Sequence, residues 1–239
     1  MFSDEVNDYC YEGHELQIFA HAKNWKQYYA RHLAPHICGD VLEVGAGIGA
    51  TTNVLRRMDH ESWTCLEPDP QLADAIGKPN GQAGLSITPE VVVGTLNDLA
   101  ADRKFDTVLY IDVMEHIEDD SEEMAAAEDR LNPGGKLVVL CPAHAFLFSE
   151  FDRQIGHFRR YNKKMFAALT PAKLHLVDLF YLDSCGMLLS AANRLLLRSS
   201  SPTVGQIRTW DRVFVPISRI CDRLLFRRVG RSVIGVWER

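Results

Sequence analysis

The stretch "VLEVGAGIGATT", residues 41–52, constrains this chain more than any other. It reads as a buried β-strand that runs into a glycine-rich turn and then into a helix. Glycine in such a turn lets the backbone approach a ligand closely, and the helix start adds N–H donors. "GAGIGA" fits both G-x-G-x-G and the dinucleotide pattern G-x-G-x-x-G/A. The turn marks a nucleoside-type cofactor without saying which one.

The same strand–helix alternation recurs along the first 142 residues. Strands are predicted at "DVLEVG", "SWTCLEP" (62–68), "PEVVVG" (89–94), "FDTVLYIDV" (105–113) and "KLVVLCP" (136–142). Helices are predicted over 49–58, from Asp69 onward and over 119–131. Alternation of this kind builds a parallel sheet covered on both faces, because each parallel crossover needs a covering element. Upstream, Ile18, Ala22, Trp25, Tyr29 and Leu33 mark one face of an amphipathic helix over 14–33. Downstream, 143–162 reads as a loop or lid, "KKMFAAL" as a short helix and 173–183 as a strand. Two helical stretches follow, roughly 184–198 and 204–226, before a last strand over 231–238.

With 239 residues, 46% apolar and 24% charged, the chain is long enough for one sizeable core. Six dispersed cysteines form no C-x-x-C pair, which excludes a sequence-readable zinc site and fits reduced thiols in a cytoplasmic protein. No signal-peptide pattern opens the sequence, and the apolar run near 187–197 is too short to cross a bilayer. The net charge of −6 hides an asymmetry: residues 194–239 hold ten Arg, no Lys and three acids, a balance of +7 that leaves −13 on the rest. A basic end on an acidic body suits an anionic partner or a membrane surface; a solvated helix face is the plainer alternative.

Two acids bear on the choice between NAD, FAD and S-adenosylmethionine. Glu43 stands two residues before Gly45, inside the strand. An acid aimed at this turn repels a pyrophosphate and attracts an ammonium or sulfonium. A capping or ion-paired acid is the structural alternative. Glu67 ends the second strand, where a carboxylate can accept both ribose hydroxyls in either class of enzyme.

The ordered set "VLEVGAGIG", "LEPD", "FDTVLYIDVMEHIEDD" and "LNPGGKLVVLCP" resembles the class I S-adenosylmethionine-dependent methyltransferases over about residues 39–142. The remainder, with "FSEFDRQIGHFRRY" and a terminal "GRSVIGVW", is similar to the type 11/12-like branch, some of whose members are fused to glycosyltransferases. The resemblance implies an α/β, doubly wound Rossmann-like fold with a seven-stranded sheet whose last strand is antiparallel. It implies one domain over 1–239: a helical cap (1–38), a cofactor core (39–142), a lid and sixth strand (143–183), a helical substrate insert (184–230) and a last strand (231–239). Carried over, Glu43, Gly45, Ala46, Gly47 and Gly49 would hold the methionyl end of S-adenosylmethionine, and Glu67 with Pro68 the ribose. Thr95 and Leu96 would border the adenine, although Thr95 replaces the Asp of many relatives. Asp112 would lie by the amino-acid portion.

Methyl transfer from a sulfonium is an in-line displacement, so alignment in a dry site is the main task and a general base helps a hydroxyl acceptor. His116 in "DVMEHIED" is the first candidate base; His157, Asp152 and His144 are further catalytic candidates. A histidine that merely orders its turn is the alternative. Arg159, Arg160 and Tyr161 suit a carboxylate or phosphate on the substrate, or simply pair with local acids. Asp112-x-x-Glu115-His116 resembles the metal motif of ubiquinone-pathway O-methyltransferases, but the same motif is widespread without metal, and no metal is expected. The expected acceptor is a small molecule or a lipid- or glycan-linked one, methylated at oxygen. Peripheral membrane contact through 184–230 accompanies that expectation, and nucleic acid is not expected, since "DVMEH" stands where base methylases carry "NPPY". Rival readings are an NAD(P)-dependent oxidoreductase, for which no hydride-transfer set is visible, and a non-catalytic nucleoside-binding module.

Overall fold

The computed structural model describes residues 15–56, 60–76, 88–194 and 202–239. The start of the expected 1–38 cap, residues 57–58 of the helix expected over 49–58 and residues 195–198 of the insert lie outside the described residues. Seven strands form one sheet: β1 (Asp40–Val44), β2 (Ser62–Glu67), β3 (Glu90–Val93), β4 (Phe105–Ile111), β5 (Leu131–Pro142), β6 (His175–Leu182) and β7 (Ser232–Glu238), in the order β3-β2-β1-β4-β5-β7-β6. β7 runs antiparallel to both neighbours, while β1 to β5 pair in parallel. The strand order reverses between β1 and β4, and ligands of such sheets bind outside the carboxyl ends of the strands at that point.

Alternation along each strand splits the core in two. Val41, Leu109, Val138, Leu140 and Ile234 face one side, where Trp25, Tyr29, Ile207, Trp210 and Val215 cover them. Leu42, Val108, Tyr110, Leu137, Val139 and Trp237 face the other, against Met124, Ala127 and Phe166. Period-two side-chain direction forces this division.

The helix expected over 14–33 is two helices, α1 (Glu15–Phe19) and α2 (Lys23–Leu33). The break frees the Phe19 carbonyl, which accepts a 3.1 Å hydrogen bond from Lys26 Nζ. Short helices α3 (Thr52–Leu55) and α4 (Pro70–Ala75) follow β1 and β2, and α5 (Asp120–Asp129) connects β4 to β5. The lid contains α6 (Glu150–Gln154), and α7 (Lys163–Ala168) precedes β6. The insert contains α8 (Ser184–Ala192) and α9 (Val204–Thr209), then a π-helical turn (Trp210–Phe214) and α10 (Val215–Leu224). The single helix expected over 204–226 is thus interrupted. Pro216 lacks the N–H that would continue the regular ladder, and the chain widens just before it.

Buried aspartates bind this insert to the rest. Asp211 accepts hydrogen bonds from Asn24 and Trp25 N–H at 3.1 and 2.9 Å, at the start of α2. Asp222 accepts the Tyr28 hydroxyl at 2.9 Å and the N–H groups of Asp183 and Ser184 at 2.7 and 2.9 Å. Those donors have no water to turn to if the acceptor is removed. Asp222→Ala is expected to cost about 3–5 kcal/mol of unfolding free energy in urea titrations, with Asp222→Asn milder; a loss below about 1 kcal/mol would show that the clamp contributes little.

Candidate active site

One cavity of about 1150 Å³ opens over the carboxyl ends of β1, β4 and β5, bounded by the N-terminal helices, the lid and the insert. A single drug-sized ligand takes roughly 300–1,000 Å³, so this space has room for a cofactor and a second molecule.

The turn after β1 forms its floor. Gly45 and Gly47 have φ of 66° and 57°, a left-handed conformation that strains other residues. A Cβ on Gly45 would meet Val113 Cγ2 at 2.6 Å. The turn is pinned to β2: Gly45 N–H donates to the Leu66 carbonyl at 2.8 Å, and Gly47 N–H to Glu67 Oε2 at 2.7 Å. Glu67 Oε1 accepts the Asp69 N–H at 3.0 Å, and Asp69 caps α4. Burial pushes the Glu67 carboxyl up, against the pull of these two N–H groups. Each oxygen retains acceptor capacity toward the cavity, which suits a ribose diol.

Gly45, Ala46, Gly47, Glu67, Pro68 and Asp112 line the cavity, and so do His116, Asp152, His157 and Arg160. Seven other residues singled out from the sequence do not. Glu43 is turned away: its Oε2 accepts the Thr52 hydroxyl at 2.7 Å and the Trp63 indole N–H at 2.9 Å. Gly49 closes the turn from behind, its N–H on the Ala46 carbonyl at 3.0 Å. Thr95 is exposed in a capping box with Asp98, and Leu96 is buried in the core. His144 packs between Phe146 and Tyr181, at ring separations of 5.3 and 4.8 Å. Arg159 pairs with Asp120 at 2.6 Å, and the Tyr161 hydroxyl donates to Asp120 and the Met114 carbonyl at 2.8 and 3.0 Å. These last two hold the lid against the loop after β4 instead of facing a ligand.

The lid brings a relay to the cavity wall. Asp152 Oδ1 lies 2.9 Å from His157 Nδ1 and 2.8 Å from Arg160 Nε, and its Oδ2 accepts Arg160 Nη2 at 3.0 Å. Burial works against the Asp152 charge, but the hydrogen bonds from His157 and Arg160 outweigh it and hold the carboxyl well below its ordinary range. An ionised Asp152 bound to Nδ1 leaves His157 Nε2 as the basic nitrogen. His116 stacks edge-on with His157 at 4.5 Å, and burial with the neighbouring His157 lowers it to about 4. Glu115 is fully buried with neither oxygen in a regular hydrogen bond, and burial raises its carboxyl well above the usual range. Ligand atoms of Glu115, His116 and His157 fall within 4.8 Å of one another, so among the described residues these three are a set able to hold a metal ion.

Two cations were not legible as site residues. Lys26 reaches the cavity from α2; burial lowers its ammonium, and Asp112 supports the charge. Arg231 enters from the start of β7. Each sits among residues that read as packing or solvated charge.

Residues 42–139 match the family model for a methyltransferase domain. A ubiquinone biosynthesis O-methyltransferase from Xanthomonas euvesicatoria pv. vesicatoria (strain 85-10) is 30% identical over 101 residues, which is 41% of this chain and 41% of that relative. The match therefore spans about two fifths of the curated relative's length. Among solved structures, a complex of the Haloferax volcanii Trm112 methyltransferase activator with a methyltransferase has a chain similar over 100% of this one and 99% of its own, with a TM-score of 0.64 and 16% identity. The N-methyltransferase NodS of Bradyrhizobium japonicum WM9, in complex with S-adenosylhomocysteine, is similar over 91% of this chain and 87% of its own, at a TM-score of 0.55 and 12% identity. The seven-stranded fold with an antiparallel last strand is shared with these solved methyltransferases. Residues 42–139 match the methyltransferase-domain model, and the rest of the chain shares the fold of these solved structures.

The buried Glu43 supplies a stability signature. Burial pushes its carboxyl up to about 7, against the Thr52 and Trp63 hydrogen bonds. A carboxyl raised on folding favours the folded state most at low pH, and that contribution disappears as pH climbs through its folded value. Glu43→Gln is expected to gain on the wild type by up to roughly 3 kcal/mol between about pH 4.5 and about pH 8 in urea titrations. A pH-independent difference would place the Glu43 charge in a solvated setting.

Proposed function

We propose that the protein transfers the methyl group of S-adenosylmethionine to a hydroxyl of a small-molecule or lipid-linked acceptor, with His157 as the general base. The observation that carries this reading is the 2.9 Å contact between His157 Nδ1 and Asp152 on the wall of the cavity. S-adenosylmethionine, which the Gly45–Gly47 turn and Glu67 would hold, would supply an electrophilic methyl group, and His157 Nε2 would take the proton of the hydroxyl that accepts it. His116, first choice on sequence grounds, is a weak base at about 4 and serves better as the neutral partner that positions His157. Methylation at oxygen is supported by a base where a hydroxyl needs one, and by the O-methyltransferase name of the curated relative.

His157→Ala is expected to lower kcat by about 10²–10⁴-fold with S-adenosylhomocysteine affinity unchanged. Dialysis against EDTA should leave the wild-type rate intact. A rate lost to EDTA and restored by Mg²⁺ or Zn²⁺ would instead make Glu115, His116 and His157 metal ligands.

A second reading concerns where the protein works. Val213, Ile217, Ile220 and Leu224 recur at steps of four, three and four along the insert, and Ile220, Leu224 and nearby Phe226 are 65%, 71% and 79% exposed. Arg212, Arg223 and Arg228 are exposed alongside, whereas Asp211 and Asp222, the acids of 204–228, are buried. An apolar stripe edged only by cations fits an anionic lipid surface. Among the described residues no helix is long and apolar enough to cross a membrane. Co-sedimentation with phosphatidylglycerol vesicles should fall with added salt and vanish in Ile220→Glu/Leu224→Glu. Absence of binding at low salt, or a self-association that the same variant abolishes, would remove the membrane reading.

A further inference from the structure

We propose that Arg231, together with Arg160, forms an oxyanion-binding fork in the acceptor half of the cavity, and that the acceptor carries a carboxylate or phosphate on an apolar body. This rests on the reading of that cavity as the acceptor site.

Arg231 is anchored on three sides. Its N–H donates to the Asp183 carbonyl at 3.0 Å, and its own carbonyl accepts the Ala143 N–H at 2.7 Å, fixing it between the ends of β5 and β6. Its guanidinium lies 4.1 Å over the Trp210 ring, and Nε stands 3.3 Å from Asp183 Oδ2. That ion pair is long and single-pronged, because Asp183 already serves Ser218 Oγ at 2.7 Å, Trp210 Nε1 at 2.9 Å and Gly186 N–H at 3.0 Å.

A guanidinium offers five N–H donors, and here only Nε approaches Asp183, as an ion pair. Among the described residues Arg231 Nη1 and Nη2 make no hydrogen bond to a protein acceptor, and the ion pair runs through Nε. Arg160 directs Nε and Nη2 at Asp152, which leaves its Nη1 without a protein acceptor among the described residues. Both guanidinium groups line the same cavity. Burial disfavours the Arg231 cation, Asp183 supports it, the charge of Arg160 opposes it, and Asp112 and Asp152 lend smaller support. An oxyanion that accepts from both arginines relieves that opposition and uses the planar fork geometry that guanidinium groups offer carboxylates and phosphates. Ile207, Trp210, Phe214 and Leu189 supply apolar wall for the remainder of the molecule. A purely structural Arg231 would spend its terminal nitrogens on Asp183, and it does not.

The test uses the full chain and begins with a calorimetric titration of S-adenosylhomocysteine; failure there overturns the cofactor reading alone. Octanoate, octyl phosphate and octanamide are then titrated into the loaded protein. The octanoate and octyl phosphate arms report which oxyanion is preferred. At least one of them is expected to bind about tenfold or more tightly than the amide. Arg231→Gln should abolish that preference, and Arg231→Lys, which keeps the charge, should retain part of it. Equal binding of acid and amide, no binding of either anion, or an undiminished preference in Arg231→Gln overturns the proposal. The wild-type comparison decides the matter even if Arg231→Gln does not fold.

Discussion

The hydrogen bond from Gly47 N–H to the Glu67 carboxylate joins two parts of the cavity floor. It fixes the left-handed turn after β1 to the tip of β2, so the backbone floor of the cavity and the Glu67 carboxylate are joined directly. The turn needs glycine for its φ angles, and Glu67 needs the turn to satisfy a buried charge. Each half explains why the other survives its own cost.

The same device recurs away from the cofactor. Asp152, Asp183, Asp211 and Asp222 are buried carboxylates; the last three tie together segments remote in sequence, and Asp152 ties the lid to itself. Asp211 and Asp222 bind the insert to α2. Asp183 sits in a left-handed conformation at the end of β6 and gathers Trp210, Ser218 and Arg231. Asp152 gathers the lid around His157 and Arg160. Buried charge of this kind is a weak source of net stability, but breaking one partner is expensive. Its value here is positional: it fixes His157, Arg160 and Arg231, which line the cavity.

Much of this was legible in the sequence. Strand–helix alternation and the glycine turn point to the sheet, and Glu67, Asp112, His157 and Arg160 all reach the cavity. What escaped depends on which way a side chain faces. Glu43 lies in β1, and period-two alternation sends it behind the turn toward Thr52 and Trp63. The electrostatic distinction expected of that acid is therefore not made at the turn, and the acid that lines the cavity there is Asp112. Lys26 and Arg231 escaped because a lone cation on an amphipathic helix or at a strand start usually meets solvent. His144, Arg159 and Tyr161 look like site residues in a lid, yet their partners are Tyr181 and Asp120. Composition cannot separate a residue that touches a ligand from one that braces the residue that does.

The central claim is that this turn and Glu67 hold an adenosyl amino acid and not a dinucleotide. Competition calorimetry on the full chain tests it most directly, with S-adenosylmethionine and NADH offered to the same site. The account predicts saturable binding of S-adenosylmethionine that Glu67→Ala weakens severely and that NADH does not displace. Tight NADH binding that excludes S-adenosylmethionine would contradict it.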